Sequence, residues 1–212
     1  SELELLKSQL NPHFLFNALN SIKALVLIDT DKAREAIIKL SELLRFTLNY
    51  EKTPLINISD EINEVVKYLE LEKIRFGNRL DVYINLQEET LDAKVPPAMI
   101  LTLAENAIKH GVQNAISWGF IEINTSIIDD KLHIKIRNTG QLHSTNSDSE
   151  SGGFGLKNTA QRLDILYGTE ASFKIYQEDN LTVCAEIVIP TGNIDVKNNN
   201  ISLDSSNIRA AS

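Results

Sequence analysis

His13 stands in Asn11-Pro12-His13-Phe14-Leu15-Phe16-Asn17, where a proline interrupts a helical pattern. Inside a helix, proline removes a backbone hydrogen bond and clashes with the carbonyl four residues back, costing about 3 kcal/mol. Either the helix kinks there, or Pro12 opens a helix with Asn11 as its cap. Helical spacing puts Gln9, His13, Asn17 and Asn20 on one polar face, with Phe14, Leu15 and Leu19 pointing elsewhere. An imidazole flanked by amides can be held in one tautomer, leaving its other nitrogen nucleophilic near neutral pH. On this segment alone an ordinary surface histidine of a helical bundle is the stronger reading. A metal site is weaker still, because no second His or Cys lies at ligand spacing.

Three further segments carry polar groups in suggestive patterns. In Glu105-Asn106-Ala107-Ile108-Lys109-His110-Gly111, the residues Asn106, Lys109 and His110 share a helical face or its edge, while Leu103, Ala107 and Ile108 serve packing. An amide oxygen can ligate Mg²⁺ and a lysine one turn on can meet a phosphate; the polar side of an amphipathic helix explains the pattern equally simply. Gly111 reads as a helix terminator. Asn138 continues the alternation of Leu132, Ile134 and Ile136, which aims it at the core, where a polar group must find a partner. A base edge or a backbone group would serve. Finally, Gly152-Gly153-Phe154-Gly155-Leu156 follows a long polar run and opens a helical pattern. Glycines let a backbone approach an anion, and helix N-termini offer unpaired N–H groups to phosphate, although most Gly-x-Gly sequences are turns. The run ahead of Gly155 has the length of a lid.

These groups need elements to hold them. From Leu3 to about Phe76 the apolar residues follow helical spacing. Ala33, Ala36, Ile37, Leu40, Leu43, Leu44 and Leu48 form one stripe, and Asp29-Thr30-Asp31 turns the chain between the helix of about Glu2–Ile28 and the next. Such a hairpin leaves apolar stripes to bury, so a homodimeric four-helix bundle is expected. Pro54 ends the second helix, and Ser59 with Asp60 and Glu61 reads as the cap and acidic first turn of a third. Beyond Gly77 the period changes to two, in Leu80–Leu86, Ile121–Ile127, Leu132–Ile136, Phe173–Ile175 and Val183–Ile189. Helices are expected at Pro97–His110 and Leu156–Tyr167. The expected class is α+β, a helical hairpin followed by a two-layer sandwich. The divisions are 1–53, 54–191 and an Asn/Ser-rich, disordered tail at 192–212.

Composition narrows the function classes. The chain has 212 residues, 42% of them hydrophobic, and a formal charge of −8, enough to bury a core but repulsive to nucleic acid and anionic membrane. A local cationic site for phosphate remains compatible. A single cysteine permits no internal disulfide and suits a reducing compartment. No apolar run is long enough to span a bilayer, and the opening SELELLKSQL is no signal peptide. A start without Met, in mid-pattern, suggests a piece of something longer.

Taken in order, the four segments resemble the sensor histidine kinases of the LytS/YehU type. Asn-Pro-His-Phe-Leu-Phe-Asn-Ala-Leu-Asn resembles that family's phosphoacceptor box almost residue for residue. Tyr68–Phe76 resembles its second signature, and Glu105–Gly111 its nucleotide-binding N box. Gly153-Phe154-Gly155-Leu156-Lys157-Asn158 with Arg162-Leu163 resembles the G2 box of the gyrase–Hsp90–kinase–MutL superfamily. The resemblance implies a sandwich of the Bergerat ATP-binding type. It implies His13 as acceptor of the γ-phosphoryl group of ATP with Asn17 beside it, and Asn106 as holder of Mg²⁺. Lys109 and His110 would lie near the phosphates, Asn138 and Gly140 at the adenine, and Gly153, Gly155 and Leu156 at the lid's hinge. It further implies transfer to a response-regulator aspartate, often in a protein with a LytTR DNA-binding domain, and no direct nucleic-acid binding. The chain would be the cytoplasmic part of a bacterial inner-membrane sensor, attached through a segment outside it.

Two departures from the family pattern matter. Asn138-Thr139-Gly140 replaces the usual Asp-x-Gly, implying weaker ATP binding and, since an amide can flip, looser rejection of GTP. Leu101-Thr102 replaces a usual Gln-Pro and reads as packing. Position 102, four before Asn106, is not the Glu of water-activating relatives, which favours transfer to His13 over hydrolysis. A catalytically weak pseudokinase, serving as a dimeric signalling module, is the alternative.

Overall fold

The structure, a computed structural model, describes residues 12–49, 53–142 and 153–191. The helix start near Glu2, Gln9, the Asn11 cap, the lid run before Gly153 and the tail from 192 lie outside the described residues. Helix α1 covers Pro12–Val26 and α2 covers Thr30–Asn49. Asp29 caps α2, its side chain accepting from the Lys32 N–H at 3.0 Å, so the turn falls where the sequence places it. Helix α1 buries Phe14, Ala18 and Ile22, one residue per turn, and α2 buries Ala33, Ala36, Leu40, Leu43 and Thr47. Both rest on α3, Ile58–Phe76.

That packing changes the reading of the α2 stripe. Leu40 and Leu43 are covered within the chain, in the same apolar cluster as α3 and the sandwich. What stays open is Ile37 and Leu48 of that stripe together with Phe16, Leu19, Leu27 and Ile28 outside it.

The sandwich holds β1 (Ile56–Asn57), β2 (Leu80–Leu86), β3 (Lys94–Val95), α4 (Met99–His110), β4 (Gly119–Ile128), β5 (Lys131–Thr139), α5 (Gly153–Tyr167), β6 (Ser172–Gln177) and β7 (Thr182–Pro190). The main sheet has five strands in the order β2-β4-β5-β7-β6. All neighbours are antiparallel except β2 and β4, which run parallel because α4 intervenes between them. Short β1 and β3 pair separately. Alternation buries Ile121, Ile123, Leu132, Ile134, Ile136, Ile187 and Ile189 beneath the helices. The opposite face is polar, with Arg137 bridging Glu122 at 2.6 Å and Glu178 at 2.5 Å. Among the described residues no helix is long and apolar enough to cross a membrane.

Glu61 lies in the first turn of α3, as expected, but its carboxyl does not face solvent. It is fully buried and reaches across to α4, accepting from the backbone N–H groups of Ala98 at 2.8 Å and Leu101 at 3.1 Å. Ala98 adopts a left-handed φ of 62° and offers no side-chain cap, so this carboxylate replaces one at a positive helix end. Arg162 of α5 donates to the Pro97 carbonyl at 2.9 Å, tying the third helix of the layer to the same corner. The helix of the N box is thereby fixed at its start by two neighbours. Asn57, and not Ser59, occupies the cap position of α3, without a side-chain cap bond.

Candidate functional site

Helix α4 runs between two clusters of the residues singled out by sequence. At the end of β5, Asn138 is 7% exposed, in phase with Ile134 and Ile136. Its Nδ2 donates to the Thr139 carbonyl at 2.9 Å. That bond sets the orientation of the amide. Gly140 follows, where an added Cβ would stand 3.3 Å from Asn138 Nδ2 and from Gly111 Cα. Gly111 closes the same corner: a Cβ there would overlap the Asn138 amide nitrogen and the Thr139 carbonyl oxygen. A terminator would tolerate Asn, but this contact tolerates only glycine. The sequence signal was the glycine itself, and its partner was out of reach.

At the far side of α4 the second cluster forms around His13. His13 is exposed on the first turn of α1, and the half-buried Asn17 places its amide 3.2 Å from Nδ1 and 3.4 Å from Nε2. The ring stands at the mouth of a cleft whose walls include Tyr68, Glu72 and Arg75 from α3, and Glu105 and Lys109 from α4. The buried contact of Phe14 with Tyr68, ring centroids 4.9 Å apart, is what seats α1 there. Burial raises the Glu72 carboxyl above its ordinary range, with Arg75 pulling the other way. Burial, reinforced by Glu72, pushes Glu105 up to about 7 against the pull of Lys109.

The remaining positions lie along α4 and at the start of α5. Asn106 and Lys109 are half-buried on α4, and His110 is exposed at its last residue, with a pKa lowered by partial burial and then by Lys109. Gly153 begins α5. A Cβ on Gly155 would come within 2.9 Å of Thr102 Cγ2, so α5 approaches α4 closely at that point. Leu156 is half-buried against the core. Leu101 is buried, and Thr102 donates its hydroxyl to the Ala98 carbonyl at 2.7 Å, a packing and helix-start role for the replaced pair. Among the described residues no three His, Cys, Asp or Glu gather to hold a metal ion. Mg²⁺ bound through one amide oxygen, phosphate oxygens and water requires no such cluster.

Sequence reasoning gave no role to Glu72, Arg75 or Glu105. Their signal was charge on the buried phase of otherwise apolar helices, which reads as helix edge until the neighbouring helix is known.

A histidine-bearing helical hairpin seated on an α/β sandwich, with a buried acceptor amide and glycine contacts at the sandwich's helical layer, is the architecture of a histidine kinase core. The comparisons agree. The family model described as "Histidine kinase" matches residues 1–80. Sensor protein LytS of Staphylococcus epidermidis is 33% identical over 198 residues, covering 89% of this chain and 34% of the relative. Sensor histidine kinase/phosphatase LytS of Staphylococcus aureus is 36% identical over 186 residues, covering 82% of this chain and 32% of the relative. The histidine kinase domain of a blue-light activated histidine kinase from Erythrobacter litoralis shares the fold, with a TM-score of 0.51 at 12% identity, over 85% of this chain and 93% of that one. The chain belongs to the LytS-type sensor histidine kinases of two-component signalling. It spans about one third of the length of the curated relatives it matches.

Proposed function

We propose that this chain is an autophosphorylating kinase core that transfers the γ-phosphoryl group of ATP to His13 and then to an aspartate of a response regulator. The observation that carries the reading is the position of His13 in one cleft with Glu105 and Lys109 of the N-box helix. Adenine would sit at Asn138 with Oδ1 accepting from its exocyclic amine, against the glycine corner of Gly111 and Gly140. Asn106 would hold Mg²⁺, which supplies charge neutralisation at the phosphates. Lys109 and His110 would flank the phosphates, with Gly153, Gly155 and Leu156 at the lid's hinge.

His13 attacks through a ring nitrogen lone pair. The amide nitrogen of Asn17 lies 3.2 Å from Nδ1 and 3.4 Å from Nε2, so Asn17 would orient the imidazole for attack through one of its ring nitrogens. Residues 1–53 would serve dimerisation and phosphotransfer and residues 54–191 catalysis, a division of labour rather than of packing, since α1, α2 and the sandwich share one apolar cluster. The exposed set from Phe16 to Leu48 would form the homodimer face. The regulator would carry a receiver domain, in one form joined to a LytTR output, and membrane attachment would come from another part of the protein.

A second reading is a pseudokinase module, favoured by Asn138 in place of the usual acid. Incubation with labelled Mg-ATP separates the two: the kinase incorporates acid-labile, base-stable phosphate, and the module incorporates none while still binding nucleotide.

A further inference from the structure

The wall of the His13 cleft contains a guanidinium held ready in place. Arg75, in the last turn of α3, has its Nε 3.4 Å from Glu72 Oε2, and one terminal nitrogen donates to Gln113 Oε1 at 3.4 Å. Its guanidinium stacks over the Phe76 ring at 4.2 Å. Glu72 is 3% exposed, and its Oε2 has no hydrogen-bond partner, so Arg75 is the charge that compensates it. These contacts engage Nε and Nη2 of the guanidinium. Arginine presents a planar fork that fits phosphoryl oxygens, and one whose rotamer is already fixed loses little entropy on meeting them. Lys109 lines the same cleft from α4, so each wall carries a cation alongside the carboxyls of Glu72 and Glu105.

We propose that Arg75 binds the phosphoryl group as it passes to His13 and continues to hold it on the product phosphoimidazole, with Glu72 and Gln113 as its tethers. This rests on the reading of His13 as acceptor. In the step, the lone pair of one ring nitrogen forms the P–N bond while the bond from phosphorus to the β,γ-bridging oxygen breaks, and ADP leaves with that electron pair. The imidazolium so formed releases the proton of its other ring nitrogen to solvent. Arg75 neutralises charge on the equatorial oxygens throughout, as donors aimed at developing charge do elsewhere, and loss of such a donor typically slows the step about 10²–10³-fold.

The test uses the full chain with two substitutions. Arg75→Ala should slow labelling of His13 by roughly 100-fold, and Arg75→Lys, which keeps the charge but loses the fork, by about tenfold. Both should keep wild-type ADP affinity by calorimetry, which also verifies folding. A second arm needs neither ATP nor metal. The protein is phosphorylated with phosphoramidate, and the ³¹P resonance absent from His13→Gln is titrated. Without the Arg75 cation, the phosphoimidazole's ionisation should move up by a few tenths of a pH unit in Arg75→Ala. Wild-type labelling rates in both variants, or an unchanged ³¹P titration, would overturn the assignment of Arg75. No label on the wild-type His13 would instead remove the kinase reading on which it stands.

Discussion

Asn138 and Gly111 show how far a single residue could be read. The alternation of β5 places Asn138 toward the core, and it is there. The orientation of its amide depends on Thr139 and Gly111, which no pattern in the chain connects to it. Because Nδ2 is committed to the Thr139 carbonyl, the flip that would admit guanine is opposed, and GTP should bind poorly after all. Replacement by Asp would turn a carboxylate oxygen toward that carbonyl, so Asn138→Asp should not tighten ATP binding, contrary to the expectation from the family pattern. Asn138→Leu should largely abolish it, since an acceptor for the adenine amine is lost. Calorimetric titration of ATP and GTP checks all of this; unchanged ATP affinity in Asn138→Leu would reduce Asn138 to a satisfied core amide. Gly111→Ala should also weaken ATP at least tenfold, about 1.4 kcal/mol, by displacing the Asn138 side chain. Wild-type affinity in that variant would show that the corner yields without consequence.

At the scale of elements, the periods of two and 3.6 located the helices and the strands of the main sheet, but neither the strand order nor the parallel β2–β4 pair was legible in them. What periodicity could not supply was the partner of each face. Leu40 reads as one of a stripe awaiting another subunit, yet α3 covers it. Glu61 reads as a first-turn acid of α3 and is one, but its burial against the start of α4 was not legible. That burial has a consequence for pH. Desolvation lifts Glu61 from 4.5 to about 7, with the Leu101 and Ala98 N–H groups and Arg162 opposing it. The folded pKa lies above the unfolded one, so between about 4.5 and 7 the folded state holds the extra proton. Stability from this group is therefore full below 4.5 and lost as pH rises through about 7. Between pH 5 and 8, Glu61→Gln should gain on wild type by about 2–3 kcal/mol in denaturant unfolding. Parallel pH profiles for the two proteins would show that the ionised carboxylate is fully compensated by its hydrogen bonds.

For the whole molecule, the exposed apolar face of the hairpin and the cleft around His13 belong to one design. Residues facing inward seat α1 on α3, and the apolar residues facing outward would form the proposed homodimer face. Leu27 and Ile28, 89% and 81% exposed, lie at the tip between α1 and α2. Serine at both Phe16 and Ile37 should convert a dimer to a folded monomer by light scattering, because Leu40 and Leu43 remain covered within the chain. A wild-type protein already monomeric at micromolar concentration would contradict the dimer. The order of the four motifs was legible before any coordinate, since each is local in sequence. The meeting of His13 with α4 was not, because it depends on α1 packing on α3 through Phe14 and Tyr68, residues far apart in the chain. The central claim is that His13 receives phosphate from ATP, and the direct measurement is to react the protein with labelled Mg-ATP and locate the label among its four histidines by mass spectrometry. The account expects acid-labile phosphate on His13, with none in His13→Gln although that variant keeps wild-type nucleotide affinity. Comparable incorporation in His13→Gln, or label on another residue, would contradict it.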